Sequence, residues 1–186
     1  LDIETKRIYI CYCENQHMIK AIIFDAGDLV YQRDDETLKP ILNFFKKNGF
    51  SISAKQFIKS YDQYALQLYK GTMSKDEHLA KTLEYLKIKV NDQFFNEFAS
   101  IFRQYFSDIR IRENAHDTFK EIKSLGIKIG ILTDTVTTEE KKWEWFKKLG
   151  LDQFVDIIVC SSVTGYTKDQ EESYKAILKR LNVRPS

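Results

Sequence analysis

The fold of this chain is decided by Ile19-Lys20-Ala21-Ile22-Ile23-Phe24-Asp25-Ala26-Gly27-Asp28. Its apolar run lacks polar alternation, which predicts a strand that is buried on both faces of a parallel sheet. The strand ends at a carboxylate, Asp25, and a glycine turn follows. Open α/β sheets bind their ligands in the crevice outside the carboxyl ends of their strands. Asp25 is therefore a candidate nucleophile or metal ligand.

Two later stretches repeat this pattern of an apolar run followed by polar groups. One is Ile127-Lys128-Ile129-Gly130-Ile131-Leu132-Thr133-Asp134, which predicts a second strand that ends in a hydroxyl and a carboxylate. The other is Phe154–Val159, which predicts a third strand with a loop to Lys168. Strands that alternate with helices indicate a parallel, doubly wound sheet. Because right-handed crossovers bring the strand ends to one edge, we expect Asp25, Thr133 and Lys168 to converge.

The helix after the second strand is predicted to start near Thr137 and to end at Gly150. Glu140, three residues after Thr137, would complete a capping box. On this helix Trp143 and Phe146 are expected to pack against the sheet. The lysines around them are expected to face water: Lys141, Lys142, Lys147 and Lys148.

Between the first and second strands the sequence predicts a helical subdomain. Nine of the thirteen phenylalanines lie between residues 36 and 109, so this region can form a core of its own. Ser53 and Ser74 each stand three residues before a glutamine or glutamate, which indicates a capping box at the start of two helices. His78 is expected to face solvent, because charged residues surround it in the sequence.

The composition limits the classes of function. The 186 residues carry a net charge of only +2, so no global basic field favours nucleic acid or a membrane surface. No run of about 18 apolar residues is present, and the sequence predicts a cytoplasmic protein without a transmembrane helix. Three cysteines do not indicate a disulfide framework.

The N-terminal segment, residues 1–17, allows two interpretations. It precedes Met18, which would be a native start, so we interpret it as a leader or an appended segment. The alternation of side chains in Arg7–Cys13 leaves open an extra strand instead.

A carboxylate, a hydroxyl and an ammonium at one crevice suit phosphoryl transfer. Asp25 can attack phosphorus and so split one difficult displacement into two easier ones. Thr133 can donate a hydrogen bond to a phosphoryl oxygen, and Lys168 can offset the repulsion between an anionic nucleophile and an anionic substrate. The amides of Ala26-Gly27-Asp28 can form a small anion-binding nest. The structural alternative for Asp25 is a strand-end aspartate that only binds turn amides.

These residues resemble the motifs of the haloacid dehalogenase superfamily, whose hydrolases use an aspartate nucleophile. The stretch Phe24-Asp25-Ala26-Gly27-Asp28-Leu29-Val30 looks like the first motif, and Ile131-Leu132-Thr133-Asp134 looks like the second. Cys160–Lys168 is similar to the approach to the third motif, whose lysine would be Lys168. The helices at 36–109 lie where the family places its helical cap.

The resemblance implies an α/β fold with a Rossmann-like, three-layer core from residues 18–33 and 111–186, and an all-helical cap at 34–110. It implies an aspartyl-enzyme intermediate at Asp25 and a Mg²⁺ ion held by Asp25 and the backbone carbonyl of Gly27. The implied substrate is a small phosphorylated metabolite. Its phosphate would be bound by Ala26, Gly27, Asp28, Thr133, Asp134 and Lys168.

The sequence departs from the family pattern at three places. Gly27 stands where the phosphatases carry a second aspartate as general acid/base, and Asp28 is the candidate to replace it. Asp169 follows the lysine where proline is usual. The family places a further strand and an acidic fourth motif after the point that Ser186 reaches. We expect either that the sequence is a fragment or that its sheet and metal site are truncated.

We therefore predict a Mg²⁺-dependent phosphatase with no nucleic-acid or membrane partner; the sequence gives no indication of the oligomeric state. One alternative is a 2-haloacid dehalogenase-like carbon–halogen hydrolase, because these relatives also lack the second aspartate and need no metal. The other is a catalytically silent member that acts as a binding protein.

Overall fold

The structure is a computed structural model that describes residues 9–12, 19–27, 29–32, 35–107 and 109–184. They form two compact units. One contains the described residues of Leu1–Gln32 and Arg110–Ser186, and the other contains those of Arg33–Ile109. Within the described ranges, no helix combines the length and the apolar character that crossing a membrane requires.

Six strands occur in the described part of the chain: β1 (Tyr9–Tyr12), β2 (Ile19–Phe24), β3 (Tyr31–Gln32), β4 (Arg110–Ile111), β5 (Lys128–Thr133) and β6 (Ile157–Cys160). The main sheet has the order β1-β2-β5-β6, and β3 and β4 form a separate antiparallel pair. β2, β5 and β6 are parallel, as predicted, and β1 runs antiparallel to β2. Of the two interpretations of the N-terminal segment, the extra strand is therefore the one that the structure shows, at Tyr9–Tyr12.

The third predicted strand begins later than expected. Phe154 lies in a turn, where its N–H donates to the carbonyl of Leu151, and the strand starts only at Ile157. The cause is Asp156, whose carboxylate accepts the N–H of Ile129 at 2.7 Å. This bond fixes the entry into β6 beside the start of β5.

The helices of the described residues are α1 (Asp35–Lys47), α2 (Ala54–Asp62), α3 (Ala65–Tyr69), α4 (Lys75–Tyr85), α5 (Asp92–Ser107), α6 (Ala115–Ser124), α7 (Glu139–Lys148), α8 (Ser161–Thr164) and α9 (Glu171–Leu181). The first five belong to the second unit and the other four to the unit with the sheet. The α/β fold class with a parallel sheet is confirmed.

Helices cover both faces of the parallel sheet because successive strand residues point to opposite faces. On one face α9 packs on a cluster that includes Ile23, Leu132 and Val159. On the other face the ring of Phe24 lies 5.0 Å from that of Phe119 in α6. The sheet is therefore the middle of three layers, which explains why its parallel strands are apolar except at Lys20, Lys128 and Thr133.

Gly130 in β5 allows α9 to approach the sheet closely. A Cβ atom at this position would lie 2.9 Å from Cδ1 of Ile177 and 3.0 Å from Cδ1 of Leu181. Real Cβ atoms essentially never approach other heavy atoms below 3.0 Å, so any side chain here would force the side chains of Ile177 and Leu181 to shift.

The second unit has its own core of phenylalanines, including the buried Phe45, Phe57 and Phe98. Ser53 caps α2 with the predicted capping box, and the Ser74 hydroxyl accepts the N–H of Glu77 at the start of α4. The expectation for His78 is wrong: only 1% of it is exposed. Its Nε2 lies 2.9 Å from the carbonyl oxygen of Tyr61, and burial lowers its pKa below the ordinary value.

The predictions for α7 are wrong in three details. The cap is Thr138, one residue later than predicted, and its hydroxyl accepts the N–H of Lys141. Phe146 is buried as predicted, but the buried tryptophan is Trp145, and Trp143 is only partly buried. Lys142 is buried with them, with 3% of the residue exposed, instead of facing water.

Candidate active site

Asp25 and Lys168 meet at the carboxyl edge of the sheet. The Nζ atom of Lys168 donates to Oδ2 of Asp25 at 2.7 Å, although 143 residues separate them in the sequence. The side chains are 32% and 27% exposed, so solvent reaches both partners of the ion pair. An ammonium at this distance holds the carboxylate in one orientation through a charge-assisted hydrogen bond.

Asp134 binds the main chain of Lys168. The backbone N–H of Lys168 donates to Oδ1 of Asp134 at 3.0 Å, so this lysine is bound through its main chain and its side chain. Burial raises the pKa of Asp134, and the positive charge of Lys168 opposes that rise. Nearby Asp25 adds to the increase because like charges disfavour ionisation.

The sheet register places Thr133 at the same edge. Phe24 pairs with Ile131, so Asp25 and Thr133 both stand just past the paired region of β2 and β5. Thr133 is buried, with 4% exposed. Hydrogen bonds thus connect Asp25, Lys168 and Asp134. Thr133 is the last residue of β5 and directly precedes Asp134.

The loop after Asp25 folds back on itself. The carbonyl of Ala26 accepts the N–H groups of Val30 and Tyr31, both at 3.2 Å, and the carbonyl of Gly27 accepts the N–H of Leu29 at 2.8 Å. A Cβ atom at Gly27 would meet nothing within 4 Å. The anion-binding nest stays a prediction, and its third member, Asp28, lies outside the described residues.

The donor set for a metal at this edge consists of oxygen atoms. Asp25 has a second carboxylate oxygen besides the one that accepts from Lys168, and Gly27 contributes a backbone carbonyl. Mg²⁺ is held in enzymes by one or two carboxylates together with substrate phosphate and water. This chemistry fits Mg²⁺, although the described ranges contain no group of three or more His, Cys, Asp or Glu residues that could hold a metal by itself.

One buried pair near this loop was missed from the sequence. Nζ of Lys142 donates to the phenol oxygen of Tyr31 at 2.5 Å. A sequence signal for Lys142 exists, because it precedes Trp145 and Phe146 by three and four residues and so shares their helix face. The charge of Lys142 predicts exposure, and that prediction is wrong because the residue is buried.

The amino-acid sequence of this chain is similar to those of known hydrolases. A family model described as haloacid dehalogenase-like hydrolase matches residues 19–186. The chain is 28% identical to a glyceraldehyde 3-phosphate phosphatase of Methanocaldococcus jannaschii, over 90% of this chain and 73% of the relative. It is 24% identical to the pyrophosphatase PpaX of Bacillus cereus, over 76% of this chain and 68% of that protein.

Among solved structures, the chain is similar to the L-2-haloacid dehalogenase of Xanthobacter autotrophicus. The TM-score is 0.65 at 20% sequence identity, over 91% of this chain and 67% of the other. At this level of identity the likeness supports the fold.

Proposed function

The chain belongs to the haloacid dehalogenase-like hydrolases, and from that premise we propose that it is a phosphatase of a small phosphorylated metabolite with Asp25 as nucleophile. The observation that carries the proposal is the 2.7 Å hydrogen bond between Lys168 and Asp25 at the carboxyl edge of the sheet. Two of its relatives are named for phosphate-releasing reactions, which supports phosphoryl over other group transfer.

In the proposed reaction a carboxylate oxygen of Asp25 attacks phosphorus. A bond forms between that oxygen and phosphorus, the bond to the leaving oxygen breaks, and a phosphoaspartate results. Water then attacks phosphorus, which releases inorganic phosphate and regenerates the carboxylate. Lys168 neutralises charge as the anionic substrate approaches Asp25, and Thr133 donates a hydrogen bond to a phosphoryl oxygen.

Asp134 is proposed to hold Lys168 in place during both steps. Its Oδ1 accepts the main-chain N–H of Lys168, so the lysine loop stays fixed while the ammonium turns toward the substrate. Asp134, Ala26, Gly27 and Asp28 are the further phosphate-binding positions that we propose around this site.

A Mg²⁺ ion is proposed to bind through Asp25 and the carbonyl of Gly27. When bound, it would supply positive charge next to the transferred phosphoryl group. A binding test that does not depend on turnover is a shift of the unfolding temperature by Mg²⁺, which we expect to be lost in Asp25→Asn.

We also propose domain limits for this function. Residues 18–33 and 111–186 would form the hydrolase core, and residues 34–110 would form the helical cap of the family. The separate phenylalanine core within Arg33–Ile109 supports an autonomous cap unit.

The test is phosphate release from p-nitrophenyl phosphate, glyceraldehyde 3-phosphate and inorganic pyrophosphate in the presence of Mg²⁺. Asp25→Asn should abolish release, and Lys168→Met should lower it. Asp152→Asn, on an exposed aspartate of the sheet unit, is the matched control and should keep full activity. Mass spectrometry of acid-quenched reactions should find phosphate on the peptide with Asp25. Phosphate release that persists in Asp25→Asn contradicts the proposal.

Gly27 favours a second candidate function, the hydrolysis of a carbon–halogen bond. A halide leaves as a stable anion and needs no proton, so this reaction does not require an acid at position 27. Halide release from a 2-haloacid without added metal, together with no phosphate release, would establish this candidate. A folded protein with neither activity would be a silent binding protein.

A further inference from the structure

The ammonium of Lys142 lies in an aromatic setting inside the sheet unit. It is 4.5 Å from the centroid of the Trp145 ring and 5.1 Å from that of Tyr31, and it donates to the Tyr31 phenol at 2.5 Å. Tyr31 itself is 3% exposed, and its ring meets that of Trp145 edge to face at 5.9 Å. These contacts fix both the oxygen and the ring plane of Tyr31.

Tyr31 is the residue at which the loop after Asp25 closes. Its N–H and that of Val30 donate to the carbonyl of Ala26, directly after the proposed nucleophile. The carbonyl of Val30 in turn accepts the N–H of Arg112. A displacement of the Tyr31 ring would therefore pull on the peptide that carries Asp25.

Lys142 stands on α7, the helix that follows β5 and the Thr133–Asp134 end of that strand. The Lys142–Tyr31 bond joins two segments that are 111 residues apart in sequence. It connects α7, the helix that follows β5, to the loop that follows β2. A hydrogen bond from a charged donor is stronger than one between neutral groups, and cation–π contacts add to it where the ammonium is removed from water. Such an anchor is stronger than a neutral surface contact.

We propose that Lys142 is a positioning residue: it anchors Tyr31 and thereby holds the turn that Val30 and Tyr31 close on the carbonyl of Ala26, so that Asp25 is aligned for attack. This inference rests on the proposed phosphatase function for its kinetic consequence. The alignment itself is a property of the loop and can be measured without turnover.

The test compares Lys142→Met with Lys141→Met on the same helix. Methionine keeps most of the length and apolar volume of the lysine stem but removes the ammonium. Lys141 is an exposed residue that pairs with Glu144, so its replacement controls for the loss of one charge. Tyr31→Phe removes only the phenol oxygen at the other end of the bond.

Two measurements are made on each variant. Amide exchange by NMR should show faster exchange at Val30 and Tyr31 in Lys142→Met and in Tyr31→Phe, with α9 and the Lys141→Met control unchanged. The turnover number per folded molecule should fall by about 10- to 100-fold, in keeping with the cost of small misplacements, while KM changes little. The double variant should be no slower than the slower single variant, because both substitutions disrupt the same contact between Lys142 and Tyr31.

The outcomes separate the two proposals. Unchanged exchange in Lys142→Met overturns the anchoring role, whatever the activity. Faster exchange with an unchanged turnover number reduces Lys142 to a purely structural residue and overturns the positioning role. If the wild-type protein releases no phosphate, the proposed function fails, and the exchange data alone decide whether Lys142 anchors the loop.

Discussion

Replacing Gly27 with aspartate is expected to raise the turnover number of the proposed phosphatase. The phosphatases that this chain resembles carry an aspartate two residues after the nucleophile as general acid/base, and this chain has Gly27 there. Positioned proton transfer contributes about 10²–10⁴-fold. We expect about 100-fold, the lower end, because the loop has not been shaped around the new carboxylate.

The structure indicates that the loop tolerates this change. A Cβ atom at Gly27 meets nothing within 4 Å, and this glycine is not among those with positive φ. Two residues span at most about 7 Å, and two like charges at about 7 Å repel by about 0.6–2.4 kcal/mol for dielectric constants between 80 and 20. Replacing a glycine also raises the free energy of unfolding by about 0.4–1 kcal/mol, because it lowers the conformational entropy of the unfolded chain. At that separation the net loss is about 2 kcal/mol for the lower dielectric constant, and closer carboxylates would repel more strongly. A loss of this size is less than the usual stability of a domain.

The assay exploits the leaving group. The alcohol part of an alkyl phosphate such as glycerol 3-phosphate leaves as an alkoxide that needs a proton, whereas p-nitrophenolate leaves readily without one. The gain should therefore be larger for the alkyl phosphate than for p-nitrophenyl phosphate. Gly27→Asn, of equal size but without an acid, is the control. The reasoning is refuted if the Asp and Asn variants hydrolyse the alkyl phosphate equally fast, or if the gain survives in the double variant with Asp25→Asn.

Three further predictions concern the rest of the molecule. Burial lowers the pKa of His78 in the folded state, so the unfolded chain takes up a proton first as the pH falls through the ordinary value of 6.5. The free energy of unfolding, measured by urea titration, should thus decrease below that pH. The decrease should be smaller in His78→Gln, whereas the variant of the exposed histidine, His116→Gln, should behave like the wild type. Burial raises the pKa of Cys160 to about 12, so iodoacetamide should leave its peptide unmodified at mildly alkaline pH until the protein is unfolded. Gly130→Ala should cost about 1–3 kcal/mol of unfolding free energy by overpacking against Ile177; an equal cost in the background of Ile177→Val, which lacks the crowding Cδ1 atom, would contradict this explanation.

The parts of the fold that follow local rules could be predicted from the sequence. The apolar runs of β2 and β5 identify their strands because both faces are buried, and Ser53 and Ser74 mark helix starts because a hydroxyl satisfies exposed N–H groups. The residues Asp25 and Lys168 could be brought together because parallel strands end at one edge. The strands and helix starts need only spacing and chain handedness, whereas the choice of Lys168 among the many lysines rests on its register with the third motif that it resembles.

The parts that depend on a distant partner could not be predicted. Lys142 and His78 are polar residues on buried helix faces. Lys142 can be buried because it binds Tyr31, which is 111 residues away, and His78 can be buried because its ring contacts the carbonyl of Tyr61. The strand β6 starts later than its apolar run predicts, where a side chain, that of Asp156, binds the backbone of another strand. In each case the tertiary contact outweighs the local pattern.

The short ribbon of β3 and β4 has a consequence for how such a protein can change. Tyr31 pairs with Ile111 and Gln32 pairs with Arg110, so the chain leaves the sheet unit and returns to it at adjacent positions, about 5 Å apart. A two-residue hairpin turn would suffice to join these ends. This geometry predicts that Arg33–Ile109 can be replaced by helical segments of other lengths and sequences, with the strand ends that carry Asp25 and Lys168 kept unchanged.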